Sequence, residues 1–467
     1  MVKQQFLGDK NSINLKLFKI NLSTIVSFAK NISIFDIMNQ NSIKIQTEAR
    51  VLFVDMNSFF ARCEQQDNYW LRGRPVGVCV YTGKYGFAIA LSVEAKRMGV
   101  KTGIRLNEAM KICPELIPVE SHPERYRQYH TKIINILKRY CPEVIPKSID
   151  EAIVNLTNYK MVYPDTVFIA QKIKEDIKRE VGDWLTCSIG IAPNAFLAKL
   201  GSDIGGFDGL QIINAQNIDA KLTPLTLGDL PGIGKNMAYR LERAGIITPL
   251  QMRYTALERL KTIFKSIEGV YWHYRLNFIE TGMAVTDYKG MQAMRQISAD
   301  KRSNPEYIEQ LFLTLCTTLE RRMVHHNFYC KNVAFVVKYT DESCWQDAFS
   351  ITNPIQDAIS LMRMIKKRVA RFEETTQSAP VINEKISGLR IMVTDFVNNS
   401  KMMYSLFEDV NRGEMARKTM YAIQQKFGTD KLKRAVEITE SKVVADVIGF
   451  GCVKDLTDLD YMMTDES

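Results

Sequence analysis

Three carboxylates, Asp55, Asp150 and Glu151, are the residues whose types and surroundings point first to chemistry. Asp55 follows the apolar run "VLFV" at 51–54, and Asp150 with Glu151 stands between two apolar stretches in "KSIDEAIVNL" at 147–156. Neighbours in a regular strand face opposite ways, so two adjacent acids with one task need a turn or bulge to converge. Carboxylates gathered at strand ends are the hard oxygen donors that divalent cations require. Two such cations, about 3.5–4 Å apart, clamp a phosphorus centre between them. A lone Asp-Glu pair is more often a solvated turn, so its meaning rests on the segments around it.

Two of those segments carry cations. "LPGIGKNMAYRLERAGI" at 230–246 places a Gly-x-Gly turn, Gly232-Ile233-Gly234, before a helical pattern that opens with Lys235. Backbone N–H groups and a cation at such a turn hold a DNA phosphate without reading bases. "SIGIAPNAFLAKLGSDIGGFDGL" at 188–210 reads as a strand, a Pro-Asn turn and a helix that projects Lys199 beside the acidic sheet edge. The formal charge of +10 agrees with a polyanionic partner, although a basic surface alone is only a weak indication.

The elements that must position these residues are legible in outline. At 467 residues the chain is too long for one core and is expected to fold as three or four units. The segment 49–213 alternates strand and helix patterns: a buried strand at 51–54 ending in the acid, helices at 123–140 and 165–180, and the strand "TCSIGIA". A mainly helical stretch follows at 214–286. Residues 291–399 then read as strand, helix, strand, strand, helix, strand, and 400–467 is charged and weakly patterned. Residues 1–48 are rich in Asn, Ser and Lys and read as a poorly ordered extension, with Met38 a candidate start. Nine singly placed cysteines without a CxxC pair read as reduced thiols of a cytoplasmic protein. No apolar run approaches the length of a membrane span.

The ordered set "VDMNSFFARCE", "KSIDEAIVNLT", "SIGIAPNAFLAKL" and "LPGIGKNMAYRL" resembles the Y-family translesion DNA polymerases over about 49–399. Asn57, together with "NPIQDAISLMRMI" and "GLRIMVTDFVNNSKMMYSLFED", resembles the UmuC-type branch, the catalytic subunit of DNA polymerase V. The resemblance implies an α+β multidomain, right-hand polymerase. Its palm would be 49–64 with 122–213, its small fingers 65–121, its helix-hairpin-helix thumb 214–286 and its α+β little finger 291–399. It implies two Mg²⁺ ions held by Asp55, Asp150, Glu151 and the Met56 carbonyl. It assigns the nucleotide site to Phe59, Phe60, Lys96 and Lys199, with Phe60 as the steric gate under the sugar. DNA would lie on Gly232, Ile233, Gly234 and Lys235.

The chain departs from the family pattern at the triphosphate. Val93 stands in the Tyr position and Lys96 in the Arg position of a Tyr-Glu-Ala-Arg stretch, and Gly206 stands where many members have a lysine. A lost charge-assisted phosphate contact is worth about 1.5–3 kcal/mol. "MMYSLFEDV" resembles a sliding-clamp-binding peptide through Leu406 and Phe407, with Met403 in place of the usual glutamine. The function implied is low-fidelity, template-directed DNA synthesis in translesion and SOS-type repair. Its partners would be primer–template DNA, dNTPs, the clamp, a UmuD-type protein and a recombinase filament. A catalytically weak DNA- and protein-binding factor is the alternative, and a nuclease or phosphatase a third. Three unpaired acids favour the enzyme, since beside DNA they only repel phosphates.

Overall fold

The computed structural model describes residues 47–83, 86–283, 288–377, 379–398 and 410–427, with the single positions 432 and 434. In chain order the first elements are β1 (Val51–Met56), α1 (Phe59–Asp67), β2 (Val76–Cys79), β3 (Ala88–Leu91), α2 (Val93–Arg97), α3 (Leu106–Ile112) and β4 (Ile117–Glu120). They are followed by α4 (Pro123–Tyr140), β5 (Val144–Pro146), β6 (Glu151–Asn155), α5 (Thr166–Glu180), β7 (Cys187–Ala192), α6 (Ala195–Ile204) and β8 (Leu210–Ile212). The five-stranded sheet has the order β5-β6-β1-β7-β8, and β2, β3 and β4 form a smaller sheet with β2 in the middle.

β1 is apolar at four consecutive positions because it is the central strand, paired on both sides and buried along Val51–Val54. It runs to Met56, two residues beyond the sequence expectation, so Asp55 is a strand residue and not a terminus. Asp165 caps α5 by accepting from the backbone N–H groups of Val167 and Phe168, and Asn194 caps α6 through the N–H of Leu197. α6 packs on β7 and β1. That approach depends on Gly190 of β7, where an added Cβ would fall 1.8 Å from the carbonyl oxygen of Ala198 and 2.4 Å from the Ser202 nitrogen.

The described residues divide into two compact units: one includes Asn214–Thr281, and the other includes Ala49–Ile213 and the described residues from Gly282 onward. The smaller sheet packs one side against the core of the larger sheet and builds a separate core on the other with Cys79, Ala88 and Leu91. Val76 and Val78 of β2 lie in the same apolar cluster as Leu52 and Val54 of β1. The Asn214–Thr281 unit holds α7 (Ile218–Leu222), α8 (Lys235–Arg243), α9 (Pro249–Tyr254), α10 (Leu257–Phe264) and α11 (Glu268–Leu276).

Beyond it come β9 (Gly290–Gln296), α12 (Pro305–His325), β10 (Phe328–Tyr339), β11 (Cys344–Ile355), α13 (Ala358–Thr376) and β12 (Ile386–Asn398). Their strands make an antiparallel sheet of order β11-β10-β12-β9, whose core is shared with α12 and α13. This is the element order expected for 291–399. A last helix, α14 (Val410–Phe427), follows. The eight described cysteines are free thiols, seven of them buried, and no helix among the described residues is long and apolar enough to cross a membrane.

Gly190→Ala is expected to destabilise the fold by at least about 1–3 kcal/mol, because the clash is with backbone that has no rotamer to yield. Thermal unfolding of the purified variant checks this. A melting temperature equal to that of the wild type would mean that α6 does not seat on β7 as described.

Candidate active site

The acidic stretch that adjoins β6 is divided by a turn. Lys147 and Ser148 both donate their N–H groups to the carbonyl of Glu151, and the carbonyl of Asp150 accepts from the N–H of Met56 at 2.8 Å. Asp150 therefore lies just outside the ladder, while Glu151 is the first residue of β6 and pairs directly with Asp55 of β1. Residues opposite one another in an antiparallel pair share a face. Register thus brings Asp55 and Glu151 together, and the turn holds Asp150 alongside, with its carboxylate accepting from the Ser148 hydroxyl.

Lys199 of α6 reaches into this group. Its Nζ lies 2.5 Å from Asp55 Oδ2, 2.7 Å from Glu151 Oε1 and 2.9 Å from Asp203 Oδ1. The sequence reading placed Lys199 at the nucleotide; here its ammonium is engaged by carboxylates. Asp203, one helical turn further along α6, was missed by that reading. Its i,i+4 spacing from Lys199 was the available signal.

Burial raises Asp55 to about 6, although the attraction of Lys199 opposes the rise. Burial also raises Asp150 and Asp203 above the usual carboxylate range. The Lys199 ammonium, despite burial, is held above its ordinary value by Asp55 and Glu151.

This donor set fits a divalent cation in chemistry. Asp55, Glu151 and Asp203 already surround one positive charge at close range, and Asp150 adds a fourth carboxylate beyond what that charge balances. Among the described residues, no group of three or more His, Cys, Asp or Glu side chains closes on a single metal position. The expected set of Asp55, Asp150, Glu151 and Met56 is therefore adjacent without being closed, because Lys199 and Ser148 engage its carboxylates.

The β1–α1 turn sets the neighbouring wall. Ser58 takes a left-handed conformation at φ 50°, and its hydroxyl accepts from Lys96 Nζ at 2.8 Å. Burial lowers Lys96, offset by attraction to Asp55 and Asp150. Asn57 bridges three segments. Its Nδ2 donates to Ser188 Oγ at 2.8 Å, and its Oδ1 accepts from the Asp208 N–H at 3.0 Å and from Thr186 Oγ1 at 3.2 Å. Ser188 in turn donates to the carbonyl of Gly206, which sits at φ +75°.

Phe59 is 2% exposed and Phe60 7%. Only Phe60 stacks on Tyr126, with centroids 4.4 Å apart and planes at 14°. The Tyr126 hydroxyl donates to the buried Glu64 at 2.6 Å, which fixes the ring beneath Phe60. Nothing in the local sequence marks Tyr126, which comes from α4.

In the Asn214–Thr281 unit, Gly232 has φ +96°, Ile233 is buried, and Gly234 caps α8, with Lys235 exposed as its first residue. The four residues expected to meet DNA thus form one helix-opening turn. Leu406, Phe407 and Met403 lie outside the described residues.

Residues 54–203 match the model of the impB/mucB/samB family, and residues 289–406 match the C-terminal domain of that family, together more than half of the chain. The chain belongs to the Y-family DNA polymerases. It is 28% identical over 402 residues to DNA polymerase IV of Pelotomaculum thermopropionicum, which covers 85% of this chain and 97% of that relative. DNA polymerase IV 1 of Bacillus subtilis is 27% identical over 403 residues, 85% of this chain and 95% of the relative. Over a shorter span of 217 residues, 46% of this chain and 60% of the relative, DNA polymerase IV of Xanthomonas euvesicatoria pv. vesicatoria is 36% identical. Among solved structures, a Y-family DNA polymerase chimera of Dbh and Dpo4 superposes with a TM-score of 0.63 at 22% identity, covering 75% of this chain and 99% of the chimera. That likeness establishes the fold: a Y-family polymerase architecture of mixed α and β domains.

The Asp55 carboxyl yields a pH signature. Its folded value of about 6 lies above the ordinary 3.8, so the folded chain holds this proton more tightly than the unfolded chain. The corresponding stability is fully present below about pH 4 and is lost as pH rises through about 6, by roughly 3 kcal/mol for a shift of about two units. With divalent cations chelated, wild type is therefore expected to lose stability relative to Asp55→Asn between about pH 4 and 7.5. Denaturant titrations at both pH values measure it; a constant difference would contradict the burial of this carboxyl.

Proposed function

We propose that this chain is a template-directed, low-fidelity DNA polymerase that joins a deoxynucleotide to a primer 3′-hydroxyl and works across damaged template bases. The observation that carries the reading is the register of β1 with β6, which sets Asp55 beside Glu151 with Asp150 at the adjoining turn. In this reading residues 49–64 with 122–213 act as palm, 65–121 as fingers, 214–286 as thumb and 291–399 as little finger.

Asp55, Asp150, Glu151 and the Met56 carbonyl would hold two Mg²⁺ ions, which when bound acidify the primer hydroxyl and neutralise the leaving pyrophosphate. The chain's own residues provide placement. Lys199 offsets the mutual repulsion of the carboxylates and keeps them on one face. Asn57 ties the β1–α1 turn to β7 and to the 206–208 turn, so that the backbone around Ser58 is fixed where a polyphosphate would lie. Phe60, backed by Tyr126, presents a ring that cannot recede from a 2′-hydroxyl. Positioning and electrostatics supply the rate, and no protein nucleophile is required.

Gly232, Ile233, Gly234 and Lys235 are suited to hold a template or primer phosphate at the start of α8. Leu406 and Phe407 would anchor a clamp-binding peptide. The name shared by the curated relatives, DNA polymerase IV, favours that branch over the UmuC-type one. Asn57, the residue that pointed to the UmuC type, then has a local reason in its bridge between Ser188 and Asp208. A role in SOS mutagenesis with a UmuD-type partner and a recombinase filament belongs to the UmuC-type reading and rests on it.

Asp150→Ala and Glu151→Ala are each expected to abolish primer extension in Mg²⁺ while leaving primer–template affinity unchanged or slightly tighter, since the acids repel phosphate. Extension at the wild-type rate by both variants sinks the two-metal reading and favours a DNA-binding accessory factor.

Phe60→Ala is expected to raise ribonucleotide insertion by orders of magnitude, and Phe59→Ala far less. Both changes cost up to about 3–5 kcal/mol of stability, so the ratio of ribo- to deoxynucleotide kcat/KM is the measurement. Equal ratios in wild type and Phe60→Ala would remove the gate.

A further inference from the structure

Arg62 of α1 is 6% exposed, yet its charge is poorly answered. Among the described residues its single ion pair is to Glu94, at 3.8 Å from Nη2 to Oε1, Asp208 attracts it less strongly from further away, and its Nε is buried without a hydrogen-bond partner. Its guanidinium lies 4.9 Å from the ring centroid of Trp184 and 5.1 Å from that of Phe207. A buried guanidinium normally has its forked donors satisfied by carboxylate or carbonyl oxygens, because an unpaired buried cation is strongly unfavourable. Here two aromatic faces hold the plane while donor capacity is left over, and burial lowers the affinity of Arg62 for its proton. The arrangement is that of a cation prepared for an anion.

Its position says which anion. Glu94 belongs to α2, two residues from Lys96, whose Nζ meets Ser58 at the β1–α1 turn. Phe207 follows Gly206, whose carbonyl is tied through Ser188 to Asn57 of that same turn. Arg62 thus stands between the two segments that flank the start of α1, with Arg97 also within electrostatic reach. Lys199 cannot serve there while it is engaged by Asp55, Glu151 and Asp203. A nucleoside triphosphate brings about four negative charges and needs cations beyond any bound to the carboxylates.

We propose that Arg62 is the substrate-positioning cation that receives the triphosphate of the incoming nucleotide, together with Lys96, in place of a lysine at position 206. This rests on the polymerase reading and names the residue that makes up for Gly206. No bond is made or broken by Arg62; its guanidinium turns its unsatisfied donors to phosphate oxygens while Trp184 and Phe207 keep its plane fixed.

The test is single-nucleotide insertion by the full chain on a primer–template in Mg²⁺. Arg62→Met, which keeps an apolar stem between the two rings, is expected to raise KM for dNTP about ten- to a hundred-fold, the loss of one charge-assisted contact. The change in kcat should be smaller and primer–template affinity unchanged. Inhibition by inorganic tripolyphosphate should weaken in parallel, a readout that mere packing would not move. Gly206→Lys in the Arg62→Met background should restore part of the KM, since a Cβ at 206 meets nothing within 4 Å, although the positive φ strains it. If Arg62→Met does not fold, Arg62→Lys carries the test, with a several-fold rise in KM for dNTP expected. Extension with KM and tripolyphosphate inhibition both unmoved overturns the role of Arg62 alone; absence of extension by wild type on any primer–template overturns the polymerase reading beneath it.

Discussion

The candidate site is organised around one electrostatic constraint: carboxylates brought together where water is scarce must be answered by positive charge. Two like charges 4 Å apart repel by about 4 kcal/mol at an effective dielectric near 20. Asp55 and Glu151 face each other across β1 and β6, so repulsion is built into the register. Lys199 answers it, and can do so because α6 lies close against β7, where Gly190 leaves room for the helix backbone. The sheet order, the glycine and the lysine are three parts of one arrangement. Asp203 on the same helix draws the ammonium from the other side and so limits how much of its charge reaches Asp55.

The same constraint organises the cations around the carboxylates. Lys199 is used within the acidic group, which leaves Lys96 and Arg62 nearer the β1–α1 turn. Among the described residues, Lys96 is tethered by a hydroxyl and not by a carboxylate, and Arg62 is held by aromatic faces with one long ion pair. Cations kept in place by weak partners retain most of their field for a ligand, as preorganised electrostatics requires. Asn57 belongs to this design. An acid at that position would add a further negative charge, whereas the amide both donates and accepts and so joins β7 to the 206–208 turn.

The Phe60–Tyr126 stack shows a second kind of constraint, steric and not electrostatic. In the proposed reading the Phe60 ring discriminates only if it cannot move, and its backing ring is anchored through a hydroxyl to the buried Glu64. The polar network under the stack therefore sets the stiffness of the apolar surface above it.

Much of this was legible in the chain. Composition and periodicity gave the alternation of strands and helices in 49–213, the helical stretch after it and the strand-helix order of 291–399, because those patterns are local and repeat at 2.0 or 3.6 residues. The residues Asp55, Asp150 and Glu151 and the Gly232–Lys235 turn stood out by type and spacing. The sequence could not say which of Asp150 and Glu151 lies in the ladder, since that depends on where the turn closes, at the carbonyl of Glu151. Nor could it give the partners of Lys199, separate Phe60 from Phe59 without the family resemblance, or single out Arg62 and Tyr126. Each of those depends on side chains from distant segments meeting: α6 on β1, α4 under α1, and the loops of Trp184 and Phe207 around one guanidinium. Local pattern determines which face of an element is apolar; only the tertiary fold decides which charges share a low-dielectric space, and that sharing sets the chemistry of the site.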